Sequence, residues 1–322
     1  MKAAIVRHAG EHPVHADFPE PVATGGESRI TVTAAAISNV AKSRASGAHY
    51  TAQGTFPLVA GIDGVGHLDD GRRVYFALPR APYGSMAERT VVPTAHCIPV
   101  PDRLDDVMAA AIANPGLSSW AALTQRARLA KGETVLVNGA TGAAGQLAVQ
   151  IARHLGAARV IATGRDPDRL HALASLGADE TISLTGDANA RDERFRAAFA
   201  AGVDVVLDYL WGASAERLLI AAARTAAEAA PIRFVHTGSA SGHEISLPGA
   251  VLRSSAITLM GSGIGSVALD RLIGITDEVL RTAATRGFRI AVDPIPLSHV
   301  EEAWARSDSG ARSVLTIVSE GS

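Results

Sequence analysis

Residues 135–157 read "VLVNGATGAAGQLAVQIARHLGA": an apolar run, a turn of small residues, then apolar positions at helical spacing. Gly139, Gly142 and Gly145 fall three apart where strand gives way to helix. In a dinucleotide-binding turn, Gly142 would let the backbone approach a pyrophosphate and Gly145 would let the helix pack close to the strand. The helix N-terminus then presents N–H groups and a partial positive charge to the phosphates. Ala140 stands where the usual fingerprint has its first glycine, so a merely tight, packed turn is the competing reading. The stretch follows the first strand of a repeating unit and opens a helix, which favours phosphate binding at Thr141, Gly142, Ala143 and Ala144.

Downstream, "RVIAT", "ETIS", "DVVLDYL", "RFVHT" and "ITLMG" are strand-like runs, mostly separated by Ala-rich helical stretches. With "TVLVN" they predict a six-stranded, doubly wound parallel sheet. Gly156, Gly177 and Gly202 sit where left-handed helix caps are needed. At the end of the second strand, where NAD binders place an acid on the ribose, the chain reads "TGRDPDRL". Gly164 and Arg165 there suit a 2′-phosphate, because a guanidinium pairs with phosphate and a carboxylate repels it. An ordinary exposed arginine is the alternative. Asp166 before Pro167 reads as a helix N-cap rather than a ribose ligand.

Upstream, "RITVTAAAI", "RRVYFAL" and "AERTVVP" alternate and are broken by Pro and Gly, predicting mainly antiparallel β structure. After the last strand come an amphipathic helix, "VALDRLIGITDEVLRTAATR", and a final strand, "SVLTIV". The tail is expected to return to the first domain. The expected boundaries are 1–116 and 263–322 for a discontinuous β domain and 117–262 for an inserted Rossmann domain. A length of 322 residues suits two domains, and 47% hydrophobic with 19% charged residues argues against disorder. The net charge of −2 is spread along the chain, which counts against nucleic-acid or membrane partners and favours small molecules. "KAAIVRHAGEHPVHADF" after Met1 lacks a signal's apolar stretch, so the cytoplasm is the expected compartment. One cysteine, Cys97, excludes a multi-cysteine zinc site.

The chain resembles the medium-chain dehydrogenase/reductases, in their zinc-free quinone oxidoreductase branch. The resemblance rests on "FPLVAGIDGVG", "NPGLSSWAAL", the glycine turn and "IPLSHVEEAWARSDSGARSVLTIV". It implies a GroES-like β domain holding a Rossmann domain, an NADPH cofactor and a homodimer. Zinc-dependent members place Cys, His-Glu and Cys where this chain has Ser38, Ile62-Asp63 and Asn114. Those residues cannot supply the soft donors of a catalytic zinc, so no metal is expected; "HAGEHPVHAD" is the weak alternative. Without a Lewis acid, hydride transfer to a quinone or an α,β-unsaturated carbonyl (enal or enone) is favoured. The resemblance further implies Ser38, Asn39 and Tyr50 at the catalytic end, and Asn114, Thr237, Gly238, Gly261 and Ser262 around the cofactor. Ser38 departs from the family's usual Asn. An enoyl-thioester reductase and a non-catalytic NADPH-binding or RNA-associating protein remain as alternatives. Tyr209 and Trp211 stay open between cleft and packing roles, and His236 reads as structural.

Overall fold

The structure, a computed structural model, describes residues 1–47, 56–306 and 310–318. Its contacts divide the chain into two units, Met1–Asn114 with Thr276–Ser322, and Pro115–Ile275.

The first unit opens with β1 (Lys2–Val6), β2 (Val14–Asp17) and β3 (Glu27–Ala36), then a short helix α1 (Asn39–Ala45). There follow β4 (Leu58–Val59), β5 (Asp63–Leu68), β6 (Arg73–Ala77), β7 (Arg89–Pro93) and β8 (Cys97–Pro99). β2, β1 and β4 form a small antiparallel sheet. β3 alternates between half-buried and buried positions along its middle, as a strand packed on one face must. Its core includes Ile30, Val32, Phe76, Met86 and Leu315.

Helix α2 (Asp106–Ala121) carries the chain into the second unit and runs through Pro115 and Gly116. Proline there leaves the carbonyl of Ala111 without its usual donor. A turn of π-helix over Ala122–Arg126 follows.

The second unit then alternates strictly: β9 (Thr134–Asn138), α3 (Ala143–His154), β10 (Arg159–Gly164), α4 (Pro167–Ala172), β11 (Glu180–Ser183), α5 (Ala188–Ala200) and β12 (Val205–Asp208). After it come α6 (Gly212–Thr225), β13 (Pro231–His236), α7 (Gly249–Arg253) and β14 (Ala256–Gly261). The sheet is parallel throughout, with order β11-β10-β9-β12-β13-β14, so the connection reverses direction between β9 and β12. This is the doubly wound arrangement that the six runs predict, and ligands of such sheets bind outside the strand ends at that reversal. Central strands are covered on both faces; Val205–Asp208 is buried throughout. Phe195 and Phe199, one turn apart on α5, are both fully buried against Leu136 and Val206. Each contributes about 1.5–3 kcal/mol of burial free energy. Gly156, Gly177 and Gly202 have φ of +95°, +112° and +95°, the left-handed values the helix ends require.

α8 (Leu269–Arg286) leads back to the first unit, where β15 (Val292–Pro296), α9 (Val300–Ala305) and β16 (Arg312–Thr316) complete its larger sheet. Among the described residues that sheet has the order β15-β16-β3-β5-β6-β8, with β7 also on β3. The discontinuous β domain expected from the sequence is therefore present, as is the parallel domain inserted in it.

Candidate active site

In the second unit the strand ends form one row. Gly261 pairs with His236, His236 with Asp208 and Asp208 with Asn138; Thr163 is one residue past the Ala162–Val137 pair. Side chains tie this row together. The Thr163 hydroxyl donates to Asn138 Oδ1 at 2.7 Å, and Asn138 Nδ2 donates to Asp208 Oδ1 at 2.7 Å and to Ser214 Oγ at 3.0 Å. The backbone N–H groups of Leu210 and Trp211 also donate to the Asp208 carboxylate, each at 3.1 Å in its shorter contact. Asn138, Thr163 and Asp208 are fully buried, so these bonds answer a desolvation that would otherwise be costly.

The glycine turn is built on this row. The N–H of Gly139 donates to the Thr163 hydroxyl at 3.1 Å and that of Ala140 to the Thr163 carbonyl at 2.8 Å. Gly139 has φ +89°. A Cβ on Gly145 would stand 2.4 Å from the Gly139 carbonyl oxygen and 2.5 Å from Ala140 Cα, so the helix lies against the turn as only glycine permits. A Cβ on Gly142 would meet nothing nearer than 3.9 Å. Gly142 is the N-cap of α3, and no side chain caps that end. The first N–H groups of α3, at Ala143 and Ala144, thus have no partner within the helix and point out of its open end. An uncapped helix start beside an open glycine fits a phosphate.

Gly164, at the end of β10, packs against Thr141: an added Cβ would lie 2.4 Å from Thr141 Cγ2. Arg165 follows, exposed. Asp166 caps α4, accepting from the N–H groups of Asp168 at 3.0 Å and Arg169 at 3.1 Å, and its second oxygen lies 3.3 Å from Arg169 Nε. Its carboxylate is committed to the helix. Across the sheet, the N–H groups of Thr237 and Gly238 donate to the Asp208 carbonyl at 2.7 and 3.2 Å, and Ser262 N–H donates to the His236 carbonyl at 2.8 Å. Gly261 is exposed with nothing within 4 Å of a would-be Cβ. The sequence-named residues of this unit therefore gather at the carboxyl ends of β9, β10, β13 and β14.

The aromatics divide. Tyr209 is buried, its hydroxyl 2.8 Å from Ser119 Oγ, and burial pushes its pKa up. Ser119 in turn donates to the Ala144 carbonyl at 3.0 Å, so Tyr209 supports the first turn of α3 from inside. Trp211 has φ +58°, rare for a bulky residue, and its ring lies 4.3 Å from that of His236. Its amide reaches Asp208 from that conformation. The network of Asn138, Thr163 and Asp208 is not evident in the sequence; its signal is a polar residue at or next to the end of each of three buried strands.

In the first unit, Ser38 is buried and caps α1, accepting from Ala41 N–H at 3.0 Å. Asn39 begins that helix and is exposed. Asn114 directs Nδ2 to Asp63 Oδ1 at 3.5 Å, and the Tyr75 hydroxyl donates to Asp63 Oδ2 at 2.9 Å. Burial raises the pKa of Asp63, opposed by the nearby Arg312 guanidinium and by the hydrogen bonds from Tyr75 and Asn114. Tyr50 lies outside the described residues.

Comparison with known proteins matches residues 143–284 to the family described as zinc-binding dehydrogenase. A probable NADPH-dependent quinone reductase of Emericella nidulans is 28% identical, over 98% of this chain and 99% of its own length. The quinone oxidoreductase of Thermus thermophilus, solved also with NADPH, superposes with a TM-score of 0.83 at 28% identity, covering 98% of this chain and 100% of that one. The chain is a medium-chain dehydrogenase/reductase. An NAD-dependent alcohol dehydrogenase superposes with a TM-score of 0.85 at 25% identity, over 99% of this chain and 100% of its own. Within the superfamily this medium-chain dehydrogenase/reductase is a quinone oxidoreductase-like enzyme, and its relatives support a nicotinamide cofactor. No described helix is long and apolar enough to cross a membrane.

Proposed function

We propose that this enzyme uses NADPH to reduce quinones or α,β-unsaturated carbonyls without zinc. NADPH bound along the strand ends supplies a hydride. The observation that carries the zinc-free reading is the Asp63 cluster. Its carboxylate is enclosed by Tyr75, Asn114 and the Arg312 guanidinium, and the Ser38 hydroxyl is engaged with α1, so the groups standing where zinc-dependent relatives place ligands serve one another. Ser38 keeps its own O–H to donate and Asn39 presents an exposed amide. Such neutral donors suit polarising a conjugated carbonyl, where little charge must be stabilised before hydride arrives. Arg165 supports NADPH over NADH, since its guanidinium is exposed at the end of β10 and the neighbouring carboxylate is engaged.

The test is turnover of NADPH with quinones, enals and simple alcohols, alongside elemental analysis. Quinone or enal reduction that survives chelation is the expected result. Stoichiometric zinc that leaves together with activity, or efficient oxidation of simple alcohols alone, would overturn it.

A homodimer belongs to the same reading. β14 is an edge strand with four exposed and two half-buried residues, Leu259 being 37% exposed and Leu252, Ile264 and Leu269 nearby in sequence at 42–44%. An apolar strand edge of this kind calls for a second strand. Leu259→Lys is expected to shift a dimeric mass to monomeric in light scattering; a monomeric wild type at micromolar concentration removes the assignment.

A further inference from the structure

Ser119 lies on α2 one turn beyond Pro115, and Tyr209 directly follows β12; both are buried in the second unit. The Ser119 hydroxyl stands 3.0 Å from two carbonyl oxygens, those of Pro115 and Ala144, and 2.8 Å from the Tyr209 hydroxyl. Ser119 has one proton, and carbonyls only accept. That proton is therefore directed to the carbonyls, and the Tyr209 hydroxyl donates to the Ser119 oxygen. Burial raises the pKa of Tyr209, so its proton stays in place. A chain of hydrogen bonds thus runs from Tyr209 through Ser119 to the carbonyl of Ala144, in the first turn of α3.

The Ala144 carbonyl shares its peptide unit with the N–H of Gly145. This N–H is the last of those left without a partner inside α3, since the next one along, at Gln146, donates to the Gly142 carbonyl at 2.9 Å. A hydrogen bond at a peptide oxygen polarises the unit and makes its N–H a stronger donor, and bonds in series reinforce one another in a low-dielectric interior. Packing alone does not call for two hydroxyls here, because an apolar pair of the same shape would cost little stability. We propose that Ser119 and Tyr209 are positioning residues for the pyrophosphate of the dinucleotide: they hold the Ala144 carbonyl in place and strengthen the Gly145 N–H that the phosphate meets. The inference rests on reading the glycine turn as the pyrophosphate site.

Titration of Tyr209→Phe, Ser119→Ala and the double variant with NADPH, NADH and adenosine 2′-monophosphate tests it, alongside thermal melts. Ser119→Ala strands a buried Tyr209 hydroxyl, so its melting temperature should fall; adding Tyr209→Phe removes the stranded group, and the melting temperature should recover. Dinucleotide affinity should not recover with it. The double variant is expected to bind NADPH about two- to fivefold more weakly than the wild type, the share of a charge-assisted contact that polarisation carries. NADH should weaken by the same factor, because it carries the same pyrophosphate. Adenosine 2′-monophosphate, which has none, should bind as it does to the wild type. Tyr209→Phe alone should keep the melting temperature and show a smaller part of the loss. A merely structural pair would regain affinity together with the melting temperature. That recovery, or an equal loss for adenosine 2′-monophosphate, would overturn the proposal and leave the cofactor reading standing. A wild type that binds neither dinucleotide would remove the cofactor reading and the proposal with it.

Discussion

Replacing Arg165 with alanine is expected to weaken NADPH binding about ten- to a hundredfold while changing NADH binding by less than about twofold. Three observations set that expectation. Arg165 is exposed at the end of β10, the place where a doubly wound domain chooses between a ribose hydroxyl and its phosphate. The carboxylate next to it, Asp166, accepts two backbone N–H groups and faces Arg169, so its charge is partly balanced and its oxygens are engaged rather than held out for a bare ribose. The hydroxyls of Ser183 and Thr185 lie close by, with Thr185 Oγ1 3.4 Å from the Arg165 carbonyl. The contact is at the surface, so the preference for NADPH should shrink as salt is raised. Titrating both cofactors against both proteins checks this, and equal losses for the two would remove Arg165 from the phosphate.

The second large effect separates two glycines of the same turn. Gly145→Ala would force a methyl into the Gly139 carbonyl and the Ala140 backbone, which can yield only if α3 moves away. Overpacking of this kind costs about 1–3 kcal/mol, so the melting temperature should fall together with cofactor affinity. Gly142→Ala meets open space at a φ of −80° that alanine adopts readily. Its melting temperature should hold while NADPH binding drops at least about tenfold, since the methyl stands where the pyrophosphate must approach. Thermal melts and NADPH titrations of the two variants distinguish a binding turn from a turn that is merely tight. If Gly142→Ala binds NADPH as well as the wild type, the ligand reading of the turn fails.

The parallel domain was legible because its signals are local: buried strands read as continuous apolar runs, caps require glycine, and an Asp-Pro pair marks the start of α4. The first unit was harder. α2 passes through Pro115 and Gly116, a pair that reads as a helix stop, and the chain continues helical because the fully buried stretch Ala109–Ala113 before it and Trp120 after it hold it in place. Tertiary packing overrode the local signal. Within the site, the glycines and Arg165 were visible as motif positions. Asn138, Thr163 and Asp208 were not, because each is an ordinary polar residue at or beside a strand end until the sheet aligns them. Nor does a sequence show that Trp211 takes a left-handed backbone conformation, since that follows from the two amides drawn to the Asp208 carboxylate.

The row of Thr163, Asn138 and Asp208 bears on when order is acquired. Gly139 and Ala140 already give their amides to Thr163, so the base of the turn is immobilised by the protein itself. The conformational entropy of that segment is lost as the chain folds, not as a ligand arrives, and the dinucleotide proposed for this turn would meet a surface whose shape is already set. The amides of Ala143 and Ala144, left outside this network, are the part that the proposed NADPH would still have to satisfy on binding.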